Sequence, residues 1–357
     1  ALTRTSNENA STVYTMNPGA YINFDTLKTV EIIKGPASAL YGSDALGGLI
    51  SFESLEAEDL LGDAEDFKVE IPSNYNSSNN GYSGSIKMAT KLSENTSALF
   101  IYTNENSDEL DVKTESKYLD NEDNLGSNYF INLTQKVGNF GKANIIYENI
   151  DRSKEVTSKA DNLALMNDVN TKTNATETFQ SIFSDTSTSK ERISLNYEYD
   201  NPNNKNFIDS LKLKLYNQYS RVDDDSKVTW TLDMPAVAAR NQPRMVTVYN
   251  DVNDYYMKND LFGFDIQAQS NLNIFNSDHL ITYGSDYSKT ETTRVRPKTR
   301  TKTTTTYIGV TGIPGSPTAD NSTKKDTPDS DIIRTGFYVQ DEFSAGKFDF
   351  IAGLRYD

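Results

Sequence analysis

Short runs in which apolar and polar residues alternate recur from about residue 81 to the end of the chain. Tyr82, Gly84, Ile86, Met88, Thr90 and Leu92 fall on one face of an extended segment, and Ser83, Ser85, Lys87, Ala89 and Lys91 on the other. Tyr129, Ile131, Leu133 and Val137 oppose Asn132, Thr134 and Lys136 in the same way. Ile193, Leu195, Tyr197 and Tyr199 oppose Arg192, Ser194, Asn196 and Glu198. The set Leu211, Leu213, Leu215 and Tyr219, the set Phe262, Phe264, Ile266 and Ala268, and the set Phe348, Phe350, Ala352 and Leu354 repeat the pattern. A period of two belongs to a strand with one apolar and one polar face. With an initial strand near Phe67 to Tyr75, the pattern predicts about eleven strands.

Two architectures give such alternation, a soluble sandwich and a barrel in lipid. The connections separate them. Ser93 to Thr96, Gly138 to Lys142, Asn201 to Asn204, Asn271 to Asp278 and Ala345 to Lys347 are tight. Long polar segments, at about 106–126, 153–188, 223–253 and 293–331, stand between them. Tight turns at one end and long loops at the other are the asymmetry of an outer-membrane barrel. A sandwich rarely needs several structureless loops of that length. The expected fold is mainly β: a transmembrane antiparallel β-barrel, long loops outward and tight turns toward the periplasm.

Composition at first reads against a membrane. Of 357 residues 36% are hydrophobic, and 35 basic against 51 acidic residues leave a net charge of −16. No apolar run approaches the roughly 18–20 residues of a spanning helix. A barrel removes the conflict, because only every second strand residue must be apolar. The 11% of aromatic residues argues against disorder. The acidic balance argues against a nucleic-acid partner. With no cysteine and a single histidine, a zinc or iron–sulfur centre is not expected, nor a Ser/His/Asp catalytic set. Neither enzyme activity nor a resident cofactor is expected. Absence of cysteine fits an exported bacterial protein. The chain opens on Ala1 without a secretory leader and closes inside the strand pattern at Gly353 to Asp357, so a piece of a longer protein is expected.

Residues 1–66 read differently. Val30 to Ile33 predicts a strand, which Gly35-Pro36 stops because proline cannot donate to a ladder. Ser38 to Tyr41 predicts a short helical turn, and Leu49 to Phe52 a second strand. Gly42, Gly47 and Gly48 permit positive φ or close backbone approach. The unit reads as strand, tight crossover and strand, a small α/β piece. A phosphate-binding loop does not fit, since no Gly-Lys-Ser/Thr follows and no long helix begins. The acidic stretch from Glu56 to Asp66 reads as a linker.

The run from Thr29 to Phe52 closely resembles the end of the plug domain of TonB-dependent outer-membrane receptors. Asp25 to Glu31 and the extension from Glu53 to Leu61 are most similar to the haem and haemoglobin branch of that family. Weaker similarity continues at His279 to Lys289 and Phe337 to Asp357. The resemblance implies that residues 1–60 are the C-terminal part of a plug, 61–66 a linker, and 67–357 the first half of a barrel of about 22 strands. It implies a place in the bacterial outer membrane among lipopolysaccharide, energy from the TonB complex, and uptake of an iron-containing ligand. Haem or haemoglobin-derived haem is the favoured ligand, as cargo rather than cofactor, and a ferric siderophore is its rival. In such receptors Glu31, Lys34, Gly35, Pro36, Leu40, Tyr41, Gly42, Ser43, Gly47 and Gly48 carry fold rather than ligand chemistry. Lys34 and Glu31 are expected to pair with polar groups on the barrel wall.

Other residues are weighed on the same footing. Haem receptors usually offer a histidine from an outward plug loop, and here Met16, with Tyr14 beside it, stands in that place. Thioether and phenolate can both ligate haem iron, and the alternative is a packing role in the loop. His279 follows a tight connection, so it is expected at the periplasmic rim rather than at a ligand. Arg294, Arg296, Lys298, Arg300 and Lys302 occupy alternate positions and would share one face of an extended arm. Like charges on one face repel unless an anion neutralises them. Haem propionates, an anionic siderophore or an acidic protein would do so; the alternatives are contact with lipopolysaccharide phosphates or a solvated mobile loop. Asp223 to Asp225 is read as a solvated patch or a loose cation site in a long loop, not as general acid/base groups. From other classes, an adhesin or a passive porin would lack the plug-like stretch, and a secreted soluble β-protein would have to pack its apolar faces together. Half a barrel alone would leave two unpaired edges in lipid and is not expected to insert as a stable monomer.

Overall fold

The computed structural model describes residues 22–35, 47–62, 64–111, 120–158, 167–170, 173–201, 207–274, 277–324 and 328–357. Tyr14, Met16, Pro36, Leu40, Tyr41, Gly42, Ser43 and the helical turn expected from Ser38 to Tyr41 lie outside those residues.

The first sheet is a two-stranded ribbon. Leu27–Lys34 (β1) pairs antiparallel with Gly48–Ser54 (β2), with Val30 opposite Phe52 and Ile32 opposite Ile50. The pairing is that of a ribbon and not of the expected crossover unit. Its close is built on glycine. Gly35 has φ +105° and Gly48 φ +143°, and a Cβ on Gly48 would strike the carbonyl oxygen of Ile33. Gly47, expected to share this role, has neither positive φ nor a close neighbour.

Ala57–Leu60 then forms a short helix, α1, with a capping box between Glu56 and Asp59. The Glu56 amide donates to Asp59 Oδ2 at 2.8 Å. The acidic stretch from Glu56 is therefore not all linker. Its first turn is helical and docked, because small Ala57 lets the backbone approach the sheet closely.

Fifteen strands make the second sheet. In chain order they are β3 (Phe67–Glu70), β4 (Ser73–Asn76), β5 (Gly81–Ser93), β6 (Thr96–Asp108), β7 (Asn121–Val137), β8 (Gly141–Thr157), β9 (Asp168–Asn170), β10 (Ala175–Asp200), β11 (Ser210–Met234), β12 (Arg244–Ile274), β13 (Ser277–Ile308), β14 (Thr311–Pro314), β15 (Thr318–Lys324), β16 (Ser330–Ala345) and β17 (Phe348–Tyr356). Eleven follow one another as antiparallel neighbours from β3 to β17, while β4, β9, β14 and β15 pair at the side. The barrel is partial, with β3 and β17 at the two ends of the path.

Register fixes the two faces. Ile86, Met88, Ile131, Ile145, Ile193, Leu195, Leu213, Leu215, Phe262, Phe264, Ile266, Val339 and Leu354 lie on the outward face and are exposed. This apolar surface is carried by strands; no described helix is long and apolar enough to cross a membrane. At the short-turn end the outward face carries paired aromatics: Phe140 edge-on to Tyr199, Phe207 tilted against Tyr283, and Phe343 stacked on Phe350. An apolar band edged by aromatics is the lipid-facing surface of an outer-membrane barrel. The opposite face receives α1. Ala57, Ala89, Leu99, Ile101, Phe130 and Ile146 are buried together there, with Leu55, Leu60 and Leu61 against them.

Two expected loops are strands. β11 runs through Asp223 to Asp225 and reaches Met234, and β12 starts at Arg244, so 223–253 is a β-arm rather than a loop. β13 continues to Ile308, and β14 and β15 fold back onto its free edge, so 293–331 is a second arm. The connections expected at 106–126 and 153–188 are shortened likewise, by β7, β8 and β10. Beyond the apolar band neither face must be greasy, so the alternation that marks a strand in lipid disappears while the backbone ladder continues.

Candidate functional site

The N-terminal segment and the barrel meet through polar side chains that alternate along the inner strand faces. Ser85 is hydrogen-bonded to the Asp25 carboxylate, and Lys87 Nζ donates to the Asp25 carbonyl at 2.8 Å. Ser97 Oγ donates to Glu58 Oε1 at 2.7 Å, and Asn132 Nδ2 to the Leu55 carbonyl at 2.9 Å. Lys142 Nζ lies 2.7 Å from Glu56 Oε1, and Asn144 Nδ2 donates to the same oxygen at 3.3 Å. Lys28 joins Asp59 and Glu53 at 3.0 and 3.3 Å and so ties the β1–β2 ribbon to α1. Each carboxylate thus finds donors in a half-buried interface, which avoids the cost of an unpaired buried charge. Glu31 and Lys34 were expected in this interface. Both are exposed, and the described contacts give neither a barrel partner. Asp25, Glu56 and Glu58 make the contacts instead.

The same face of the sheet continues outward into the arm. Arg294, Arg296, Lys298, Arg300 and Lys302 all lie on it, opposite Met257, Tyr255, Asn253, Asp251 and Tyr249 of β12 respectively, residue 255 facing 296 by the unbroken register. β11 brings Asp224, Val228 and Trp230 alongside. The result is a cationic and aromatic wall. Trp230 and Tyr249 stack at 4.1 Å and 9°, and Phe179 stacks on Trp230 at 6.2 Å. The Arg300 guanidinium sits 5.4 Å from the Trp230 ring and 5.2 Å from that of Tyr249, and Arg296 sits 5.2 Å from Tyr255. Such placement over ring faces is attractive and holds a guanidinium flat.

Asp251 organises the cluster. It is 5% exposed. Arg300 donates to both its oxygens, at 2.6 and 2.7 Å; Lys298 lies at 3.1 Å and Trp230 Nε1 donates at 3.2 Å. Burial would push this carboxyl up, but the Arg300 and Lys298 contacts outweigh it and hold the pKa below the ordinary value. Asp224 goes the other way: burial raises it, against a hydrogen bond from Ser184 at 2.8 Å, and neighbouring Asp225 adds to the rise. Both stand beyond the apolar band.

Nearer the N-terminal ribbon, a cleft of about 260 Å³ opens on the same face of β4 to β8 and β10. Asn74, Asn76, Asn79, Asn124 and the Arg152–Glu105 ion pair are among its lining groups. Asn79 Oδ1 is buried there without a hydrogen-bond partner. His279 lies elsewhere, at the short-turn end of β13 on the outward face. Its ring stacks on Phe343 at 4.6 Å and Nδ1 is 2.9 Å from Asp341. Asp223 pairs with Arg221 on the outward face, and Asp224 points to the wall. Sequence reading brought the five cations together and missed Trp230, Tyr249, Asp251 and Tyr255. Their alternate spacing was the available signal, but it lay inside a segment read as loop.

A family profile described as TonB dependent receptor-like, beta-barrel, matches residues 132–357, and one described as TonB-dependent Receptor Plug Domain matches residues 5–49. Over 95 residues the chain is 35% identical to transferrin-binding protein A of Haemophilus influenzae, covering 27% of this chain and 10% of that protein. Over 60 residues it is 38% identical to Heme/hemopexin utilization protein C of Haemophilus influenzae, covering 17% and 8%. Over 35 residues it is 60% identical to the hemin receptor of Yersinia enterocolitica, covering 10% and 5%. Among solved structures, a double mutant of the Serratia marcescens hemophore receptor HasR, in complex with its hemophore HasA and heme, superposes with a TM-score of 0.45 at 12% identity. That match covers 91% of this chain and 50% of the receptor. The chain thus spans about half the length of that receptor, and its matched stretches no more than a tenth of these curated relatives.

Proposed function

Because the chain belongs to the TonB-dependent receptor family, whose barrel profile covers residues 132–357, we propose that it is an outer-membrane receptor taking up an iron-bearing ligand, with haem or haemoglobin-derived haem foremost. The observation that carries the ligand assignment is the Arg300–Trp230–Tyr249 stack within the five-cation wall. Haem presents a flat aromatic face and carboxylates at one edge. Rings and guanidinium forks on one wall match both features. The hemin receptor and Heme/hemopexin utilization protein C among the relatives support the same reading. A ferric siderophore is the rival ligand. Tyr14 and Met16 are retained as candidate axial donors, and 1–60, 61–66 and 67–357 as plug, linker and barrel half. Energy comes from TonB, and ligand on the outer wall acts on the plug as a coupling between two sites. Titration of the complete receptor with haem, followed at the Soret band, tests the proposal. Saturable binding with a shifted band is expected. No shift, with binding of a ferric siderophore instead, would overturn the haem assignment.

A second reading has its own observation. Beyond the apolar band the β11–β12 arm carries β11 on from Val222 to Met234, roughly 40 Å at about 3.3 Å per residue. An arm of that reach suits a protein that carries iron, and two transferrin-binding proteins A are among the relatives. Direct binding of purified haemoglobin or transferrin to the receptor separates this reading from capture of free haem.

A further inference from the structure

We infer that Asp251 is an internal stand-in for a ligand carboxylate: it holds Arg300 in the free receptor and yields it to an incoming carboxylate on the same wall. The inference rests on the reading above, in that the plug-side face of the arm receives the ligand. It adds a specificity-determining residue and a chemical demand on the ligand.

A half-buried guanidinium stacked on Trp230 and Tyr249 has given up part of its hydration and gains from an acceptor, and the buried Asp251 carboxylate beside it needs a donor at all times, or its desolvation is uncompensated. Asp251 supplies the acceptor. Both its oxygens are engaged, by the Arg300 fork at 2.6 and 2.7 Å, by Lys298 at 3.1 Å and by Trp230 Nε1 at 3.2 Å. Such a carboxylate does not have to remain Arg300's partner. If Arg300 turns its fork to a ligand, Lys298 and the indole still hold Asp251, so no buried charge is stranded. The exchange replaces one bidentate carboxylate contact with another and conserves the charge-assisted hydrogen bonds.

The surroundings favour an acid as the incoming group. Against the five cations of the stripe, the same face of β11, β12 and β15 sets three carboxylates: Asp224, Asp251 and Asp320. Asp320 stands directly across from Arg300 on β15 and is exposed. Arg300 is thus flanked by an acid on either strand, and only the buried one is locked to it. A ligand without a carboxylate cannot take the fork and gains only the ring contacts. A ligand with one gains both.

The test compares haem with haem dimethyl ester, which keeps the ring and lacks the free acids, on the complete receptor. In the wild type the acid form binds more tightly. Asp251→Asn removes the internal competitor, so the acid form is expected to tighten about tenfold, the change that roughly 1.4 kcal/mol produces, with the ester unchanged. Arg300→Lys keeps a charge on Asp251 and the fold with it, but loses the fork. There the preference for acid over ester is expected to collapse while ester affinity holds. Arg300→Lys therefore decides the matter even where Asp251→Asn does not fold. Equal weakening of both forms in Asp251→Asn, or an unchanged preference in Arg300→Lys, overturns the inference and makes Asp251 a staple of the arm. A wild-type receptor that binds neither form overturns the haem reading and this inference together, an outcome distinct from the other two.

Discussion

Two small residues set geometry that no larger one could. Gly48 closes the β1–β2 ribbon at φ +143° with its Cα against the Ile33 carbonyl. Gly48→Ala is expected to cost about 1–3 kcal/mol through backbone strain and the forced shift of β1. Chemical denaturation of the complete receptor, with proteolysis of the plug as readout, measures it. Ala57 is fully buried between α1 and the sheet, touching the cluster of Leu99, Ile101, Phe130 and Ile146. Ala57→Leu overpacks that contact and is expected to destabilise by about 1–3 kcal/mol. The displaced helix would also pull Glu56 from Lys142, so earlier cleavage near residue 61 is the second readout. A wild-type cleavage pattern would show that α1 is not a fixed anchor.

At the scale of the strand ladder, register creates a charge pattern that no local sequence window contains. Asp108, Asp123, Glu155, Asp185, Asp225 and Asp254 stand directly opposite one another on six adjacent strands, all on the outward face beyond the apolar band. Like charges opposite each other weaken a ladder. Burial raises the Asp225 pKa, and Asp254, Asp185 and Asp223 raise it further. A carboxyl whose folded pKa exceeds its unfolded one destabilises the fold fully above the folded value, and the penalty fades as pH falls through it. Asp225→Asn is therefore expected to stabilise the arm at neutral pH by a few tenths of a kcal/mol. The gain should shrink with added salt and vanish near pH 4. Asp251 has the opposite sign. Its folded pKa is lowered, so its contribution is present above the ordinary carboxylate value and is lost as pH falls through the folded one. Trp230 donates to Asp251, and the part of the complete receptor's emission that Trp230→Phe removes reports that step. That emission is expected to stay constant down to about pH 4 and to change only below; a change near pH 6 would contradict the lowered value.

Over the whole molecule, the path of eleven strands ends at β3 and β17 with unpaired edges. In lipid each unpaired backbone group costs several kcal/mol. A polypeptide of these 357 residues alone is accordingly expected to give no heat-resistant, folded band after bilayer insertion. Such a band would mean that the edges close on each other or on a second copy. Among the described residues, Asp25, Leu55, α1 and their contacts reach β3 and β5 to β8. Lys190, Arg192 and buried Glu148, farther along that face, form an ion cluster of their own.

The sequence alone determined the transmembrane strands and their two faces, because lipid demands apolar side chains at every second position. It determined the strands at Val30 to Ile33 and Leu49 to Phe52 from their apolar runs, and the shared face of the five cations from alternation, which is a local property. Tertiary structure decided the rest. The arms were hidden because, outside lipid, a strand is held by backbone hydrogen bonds to its neighbours and leaves no apolar period in its own sequence. Asp251 and Trp230 become partners of Arg300 only through pairing between residues tens of positions apart. Glu56 to Leu60 docks rather than links because an alanine meets a hollow that five distant strand residues build together.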